Sequence, residues 1–188
     1  MSLRERKGPL FAFALTMGLA VAASACTVRP LYMKEDPASA GASAGTAAEL
    51  ASVAVNPVKT RYAQLVRNEL IFLLGGGAGE ATNPRYTLDL NVSSQLMSSA
   101  TAPASTRDDV NVPTAAILTL TAGYTLTDVT TNKTVAKGSR NISSSIDVPR
   151  QQYAALRAEN DAQQRAAREV AQLLRFAIAQ DLAREGKK

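Results

Sequence analysis

Few side chains in this chain of 188 residues could carry out chemistry. It has one cysteine, Cys26, and no histidine, so a cysteine nucleophile would lack its usual base. The adjacent aspartates Asp108 and Asp109 could ligate a cation, but their surroundings are rich in Ser, Thr and Pro and indicate a solvated loop. Three glycines at 75–77 follow a helical pattern, without the lysine and hydroxyl of a phosphate-binding loop. The sequence therefore predicts a binding or assembly protein rather than an enzyme, and no metal site.

The residues before Cys26 indicate a different use for its thiol. Three basic residues near the N-terminus precede an uncharged apolar stretch over residues 10–25. This stretch is shorter than the ~20 residues of a relaxed membrane-spanning helix. Basic residues, an apolar stretch and small residues before a cleavage point are the layout of a secretory signal peptide. We therefore expect residues 1–25 to be a signal peptide that is removed on export.

The segment Ala22–Thr27, AASACT, resembles the lipobox of bacterial lipoproteins, with Ala23 where leucine is usual. The resemblance implies that Cys26 becomes the first mature residue and carries an S-diacylglycerol group and an N-acyl chain such as palmitate. Thr27, rather than aspartate, follows the cysteine, which in that family implies anchoring on the periplasmic side of the outer membrane. An ordinary secretory signal with an incidental cysteine is the alternative. A covalent lipid is thus expected, with no other cofactor.

Charge limits the class of partner. The whole chain has 21 basic and 16 acidic residues, a formal charge of +5. Without residues 1–25, 163 residues remain with a charge of about +3, which is the size of one domain. This small surplus does not indicate nucleic-acid binding, and it suits a partner rich in phosphate or carboxylate. Once Cys26 is acylated, no thiol is left to form a disulfide.

The expected mature chain has two parts. Residues 26–49 are predicted to be a lipidated N-terminus and a flexible tether, because Met33–Glu49 is rich in Ala, Ser and Gly and has little apolar surface to bury. Residues 50–188 are predicted to be a single folded domain. Its elements are expected as a strand over 50–58, a helix over 61–74, strands over 85–96, 116–128 and 134–148, and a helix over 150–185.

These elements predict an α+β fold, a four-stranded, mainly antiparallel sheet with two helices packed on one face in the order β-α-β-β-β-α. The last two strands form a hairpin around a tight turn at 128–133. Leu88, Leu90, Leu120, Leu173 and Ile178 are assigned to one core, with Leu96 on the same apolar face. The opposite sheet face is rich in Ser and Thr and is expected to be solvated. The pattern leaves open whether 150–165 and 166–185 form one helix; a coiled coil is the rival interpretation of the latter.

After the lipobox, Arg29, Pro30, Leu31 and Tyr32 form a stretch that resembles the start of mature members of the LptE family of lipopolysaccharide-assembly lipoproteins. The segment Arg61–Leu74 is similar to the first helix of that family. The resemblance implies a plug in the lumen of the outer-membrane β-barrel LptD. Such a plug assists barrel assembly and contacts lipopolysaccharide on its way to the outer leaflet. The RPLY stretch itself is either structural or a plain linker.

Lipopolysaccharide carries phosphates and acidic sugars, so its contact site should present cations on accessible loops. The candidates are Arg107 in the loop between the second and third strands, Lys133 in the hairpin turn, and Lys137 and Arg140 on the strand after it. The loop and the turn lie at opposite ends of the third strand. Two other functions remain open, an auxiliary lipoprotein of an envelope ABC transporter and a free periplasmic ligand-binding lipoprotein.

Overall fold

The computed structural model describes residues 43–103 and 111–185. Strands form where apolar and polar residues alternate, and helices form where the apolar period is 3.6 residues. In chain order the elements are α1 (Ser43–Ala51), β1 (Val53–Val55), α2 (Arg61–Leu74), β2 (Tyr86–Pro103), β3 (Asn111–Asp128), β4 (Thr134–Asp147) and α3 (Gln152–Glu185). The predicted α+β class is confirmed.

The four strands form one mixed sheet in the order β1-β2-β3-β4. The short strand β1 runs parallel to the start of β2, with Val53 beside Tyr86 and Val55 beside Leu88. The β2–β3 and β3–β4 pairs are antiparallel. The predicted hairpin over 128–133 is confirmed, because β3 ends at Asp128 and β4 begins at Thr134. Long antiparallel pairing thus makes β3 the central strand.

The helices pack on one face of this sheet, which we call the helix face. Every second residue of β3 from Ala116 to Leu126 is buried there, because successive side chains of a strand point to opposite faces. The largest fully buried side chains are Leu70, Leu88, Leu118, Leu120, Leu126, Leu174, Ile178, Leu182, Val55, Val66 and Val170. The predicted core positions Leu88, Leu120 and Ile178 are confirmed, and Leu90 is half-buried.

Helix α2 begins and ends where its capping residues predict. The Thr60 hydroxyl accepts a hydrogen bond from the Ala63 amide at 3.4 Å, which satisfies one of the free donors of the first turn. At the other end, the Gly75 amide donates to the Ile71 carbonyl at 3.0 Å. Gly76 follows with φ +59°, a left-handed conformation that glycine adopts without steric cost. The run of glycines therefore ends a helix, as the sequence predicted.

The predicted tether is wrong over its last residues, because residues 43–49 belong to helix α1. Alanine is the strongest helix former, so the Ala-rich composition that indicated a tether also suits a helix that has a docking site. Leu50, near the helix end, supplies that contact with 3% of its surface exposed, and Glu49 lies 3.9 Å from Arg85. The predicted strand accordingly shrinks to β1. The rest of the proposed tether lies outside the described residues.

Two predicted core residues are exposed. Leu96 on β2 has 50% of its surface exposed, because burial falls along β2 from Tyr86 and Leu88 towards its distal half. The 14-residue helix α2 is too short to cover the whole of this 18-residue strand. Leu173 on α3 is 39% exposed, since it lies at the border of the buried stripe through Val170 and Leu174.

Helix α3 is continuous over 34 residues, about 51 Å at 1.5 Å per residue. Residues 152–165 are therefore part of the same helix as the apolar second half. Buried alanines carry the packing in the first half, beginning with Ala162 and Ala166. Within residues 43–103 and 111–185, no helix is both long and apolar enough to cross a membrane.

Candidate functional site

The sheet face opposite the helices, which we call the open face, is lined by hydroxyl and amide side chains. Alternation along the strands places there Asn91, Ser93 and Gln95 of β2, Thr119, Thr121 and Thr125 of β3, and Ser139, Asn141, Ser143 and Ser145 of β4. Thr119 and Ser143 are cross-strand neighbours whose hydroxyl oxygens lie 3.1 Å apart. The open face can therefore exchange hydrogen bonds with a polar surface over a wide area.

The distal end of the open face is apolar. Met97 and Ile117 are cross-strand partners there and expose 68% and 40% of their surfaces. At the opposite end of this face, close to the hairpin, the side-chain amide of Asn56 donates a hydrogen bond to the Asp89 carboxylate at 2.6 Å. The face thus changes from polar to apolar along β2.

The hairpin turn between β3 and β4 is held by Asp128. Its carboxylate accepts hydrogen bonds from the amides of Thr130 and Thr131 and from the Thr131 hydroxyl, at 2.8–3.2 Å. These bonds, the Thr131 amide first, lower the pKa of Asp128 from its usual value. Asn132 supplies the left-handed residue, with φ 52°. The neighbouring Lys133 is therefore an exposed cation on an ordered turn.

The structure brings two of the predicted cations, Lys133 and Lys137, to the hairpin end of the sheet and places a third, Arg140, on the other face. Lys137 pairs with Thr125 and lies on the open face, whereas Arg140 pairs with Ala122 and lies on the helix face. Both are exposed. Arg107 lies outside the described residues, in the segment that joins the distal ends of β2 and β3. Because β3 is 18 residues long, about 60 Å separates that end from the turn with Lys133.

One contact on the helix face was not predicted. The Tyr124 hydroxyl donates to the Asp181 carboxylate of α3 at 2.5 Å. Burial, followed by this hydrogen bond, raises the pKa of Tyr124 far above its usual value. The tyrosine ring lies over Gly138, where an added Cβ would be 2.8 Å from Tyr124 Cε1. The glycine thus makes room for the ring that ties the hairpin to α3.

The described residues do not bring together three or more His, Cys, Asp or Glu side chains that could hold a metal ion. The open face offers mainly neutral hydrogen-bonding groups, with Lys137 and Asp89 on either side of Thr125 towards its hairpin end, Asp147 towards its distal end, and Lys133 in the adjoining turn. Such a surface suits recognition of a polar partner. Cys26 lies outside the described residues.

A family model described as "LptE: Lipopolysaccharide-assembly" matches residues 50–178. The chain belongs to the LptE family. Its match begins at the end of α1 and covers every later element up to most of α3. Membership of this family supports a role in lipopolysaccharide assembly.

Several solved structures of lipoproteins are similar to this chain. This LptE-family chain is 27% identical to a Caulobacter crescentus protein designated a lipoprotein, with a TM-score of 0.60, 74% of this chain and 97% of that chain covered. A minor lipoprotein from Acinetobacter baumannii is 15% identical, with a TM-score of 0.49 and coverage of 69% and 89%. The rare lipoprotein B of Shewanella oneidensis is 14% identical, with a TM-score of 0.46 and coverage of 72% and 94%. No curated protein matches this chain.

Proposed function

We propose that this protein is an outer-membrane lipoprotein that sits as a plug in an LptD-type β-barrel. There it assists barrel assembly and helps lipopolysaccharide to reach the outer leaflet. Family membership supports the connection with lipopolysaccharide assembly. The observation that carries the plug role is the open face, because the inner wall of a large membrane barrel is polar and hydrated.

The chemistry of the open face fits such a wall. Thr121 lies at its centre, between Ser93 of β2 and Asn141 of β4. These short neutral side chains donate and accept hydrogen bonds, and they lose little conformational freedom on contact. Burying charge would cost more, because unpaired ions are expensive to remove from water. The neutral centre of this face can therefore dock on a polar wall without matching a charge there.

The anchor is the second part of the proposal. Cys26 carries the triacyl modification and holds the domain on the periplasmic side of the outer membrane. Mass spectrometry of membrane-extracted protein should find a triacylated N-terminal peptide that begins at Cys26. Cys26→Ala should release or mislocalise the protein and leave its far-ultraviolet circular dichroism unchanged. An unmodified thiol, or a mature chain beginning elsewhere, would refute the anchor.

Direct contact with lipopolysaccharide is the third part. Lys133 and Lys137 lie at the hairpin end of the sheet, where their ammonium groups can meet phosphates of lipid A or the inner core. Arg140 lies on the helix face and contributes through a separate contact, as does Arg107, which lies outside the described residues.

Purification tests the plug role. The tagged chain is expressed with the LptD-type barrel protein of its own genome, extracted in detergent and purified through the tag. We expect a stable complex from the wild type and at least a tenfold lower yield from Thr121→Arg, which places a bulky cation in the middle of the open face. The control Gln172→Arg adds the same charge at an exposed position of α3 and should retain the complex. Absence of the barrel from the wild-type preparation, or inner-membrane ATPase components in its place, would refute the proposal.

A further inference from the structure

Most of the outer edge of β2 is unpaired by any other described strand. β1 covers this edge only at Tyr86, Thr87 and Leu88. The chain then leaves the sheet at Asn56, whose backbone N–H donates a hydrogen bond to the Leu88 carbonyl at 2.9 Å. Beyond Leu88, β2 continues to Pro103 with β3 on its inner side alone.

This last hydrogen bond shows which backbone groups face outwards. Because the Leu88 carbonyl points to the outer edge, the alternation of an antiparallel ladder turns every second residue the same way. The residues that present both N–H and C=O on the free edge are Leu90, Val92, Ser94, Leu96 and Ser98. The register shifts between Ser98 and Thr101 end the regular edge. Among the residues that the structure describes, a regular edge of nine residues, about 30 Å, therefore has no partner strand.

The edge lacks the features by which proteins usually protect a strand from further pairing. Residues 90–98 contain no charge, proline or glycine. The other edges of this sheet, at β1 and β4, are protected from pairing with a further strand. The outward groups of Val55 on β1 are bonded by Glu80 and Arg67 at 2.8–3.2 Å, and β4 carries Lys137 and Arg140 along its edge. A long, uncharged, regular edge is a template for an incoming strand.

We propose that this edge binds a β-strand of up to about nine residues from the barrel protein, so that the partner extends the sheet as a fifth strand. The inference rests on the function proposed above and names the element through which the complex forms. Backbone hydrogen bonds provide the affinity in this mode of binding, and alternate side chains provide the register. The incoming strand should carry apolar side chains beside Val92 and Leu96 on the helix face, and polar ones beside Ser93 and Gln95 on the open face. The half-exposed Leu96 would become covered.

A second copy of this chain fits the edge poorly. In an antiparallel pair centred on Ser94, residues 100–102 of one copy would lie opposite residues 86–88 of the other. That position is already occupied by β1. β2 runs on to Pro103, so the two copies would collide unless the register moved into the irregular region after Ser98. A separate strand that ends near Leu90 meets no such obstacle.

Residue-resolved hydrogen–deuterium exchange on the full-length protein, alone and in complex with the barrel, tests the proposal. In the free protein the outward amides of Val92, Ser94 and Leu96 should exchange at least 100-fold faster than those of Ser93 and Gln95, which bond to β3. In the complex, the outward amides should slow by at least 100-fold. Outward amides that stay fast in an intact complex would overturn the edge proposal and leave the plug role standing. Protection already present in the free chain would also overturn it, since another part of the chain or a second copy would then cover the edge.

A pair of variants checks the same point in the purification assay. Ser94→Pro removes one outward donor and leaves the ladder with β3 intact, since proline is tolerated where the N–H of an edge strand faces solvent. We expect at least a tenfold lower yield of complex from Ser94→Pro and wild-type yield from Ser94→Ala. Equal yields from both variants would overturn the proposal. If the wild type forms no complex, the plug role fails first and the edge proposal with it.

Discussion

Replacing Leu120 with alanine should lower the stability of the domain far more than replacing its neighbour Thr119. Leu120 lies on the central strand with none of its surface exposed. A fully buried leucine that becomes alanine loses transfer free energy and leaves a cavity, which together cost about 3–5 kcal/mol. Leu120 lies between Ser94 of β2 and Ile142 of β4, and because β3 pairs with a strand on each side, the site cannot easily collapse around the cavity.

Thr119 points to the open face and is half-exposed. Thr119→Ala removes the exposed hydroxyl contact with Ser143, 3.1 Å long, for which water can substitute. The expected cost is about 0.5 kcal/mol or less, as for other exposed substitutions. At about 2–4 °C per kcal/mol for a domain of this size, the melting temperature should fall by about 6–20 °C for Leu120→Ala and by about 2 °C or less for Thr119→Ala.

Thermal and urea unfolding followed by far-ultraviolet circular dichroism measures both values, a suitable probe because the chain has no tryptophan. The urea m-value should be the same for both variants and the wild type, so that the difference reports stability alone. Equal losses at the two positions, or a larger loss for Thr119→Ala, would refute the assignment of the helix face and the open face.

Three other predictions concern the hairpin. Gly138→Ala should destabilise the domain by about 1–3 kcal/mol, because the added Cβ would lie 2.8 Å from the Tyr124 ring. The same substitution in a Tyr124→Leu variant should cost less stability. An equal loss of stability in both backgrounds would contradict the contact between Gly138 and the Tyr124 ring. Folding lowers the pKa of Asp128, so its ionised carboxylate stabilises the fold at pH values above the usual carboxyl pKa near 3.8. This contribution is lost as the pH falls through the lower pKa of the folded state. The melting temperature of the wild type should therefore fall more steeply below about pH 4 than that of Asp128→Ala, and parallel curves would count against it. The double variant Lys133→Ala, Lys137→Ala should bind lipopolysaccharide several-fold more weakly than the wild type at low salt, and this difference should disappear at high salt. The control double variant Lys59→Ala, Arg157→Ala, also at exposed positions, should bind as the wild type does. Equal binding by both double variants would show that the hairpin cations are not the site.

Local patterns predicted much of the fold. The alternation from Leu118 to Leu126 correctly indicates the buried face of β3, since one period-2 pattern governs a strand that has helices on one side. Asp128 and Asn132 predict the turn because both residue types satisfy turn geometry within a few residues. Thr60 likewise predicts the start of α2.

Features that depend on distant partners could not be predicted. Helix α1 forms where an Ala-rich segment finds a docking site, and composition alone does not reveal that site. Tyr124 and Asp181 are 57 residues apart and meet only because α3 packs along the hairpin. The exposure of Leu96 reflects the short length of α2 relative to β2, which no pattern within β2 contains.

The position of the cations shows the same division. The sequence predicted that Lys133 lies in a turn and that the length of one strand separates it from Arg107. The pairing of β3 with β4 confirms that Lys133 lies in the hairpin turn. The sequence analysis did not assign Lys137 and Arg140 to opposite faces of the sheet. Because they are three residues apart on one strand, they point to opposite faces, and their register with Thr125 and Ala122 shows which face each one occupies.

Photo-crosslinking from the open face tests the central claim most directly. A photoreactive phenylalanine derivative is placed at Ser143 on the open face or at Gln172 on the exposed side of α3, in cells that also make the LptD-type barrel protein. The plug orientation proposed above predicts a strong crosslink from position 143 to the barrel protein and a much weaker one from position 172. A stable complex with no crosslink from position 143, or with a stronger one from position 172, would contradict docking through the open face.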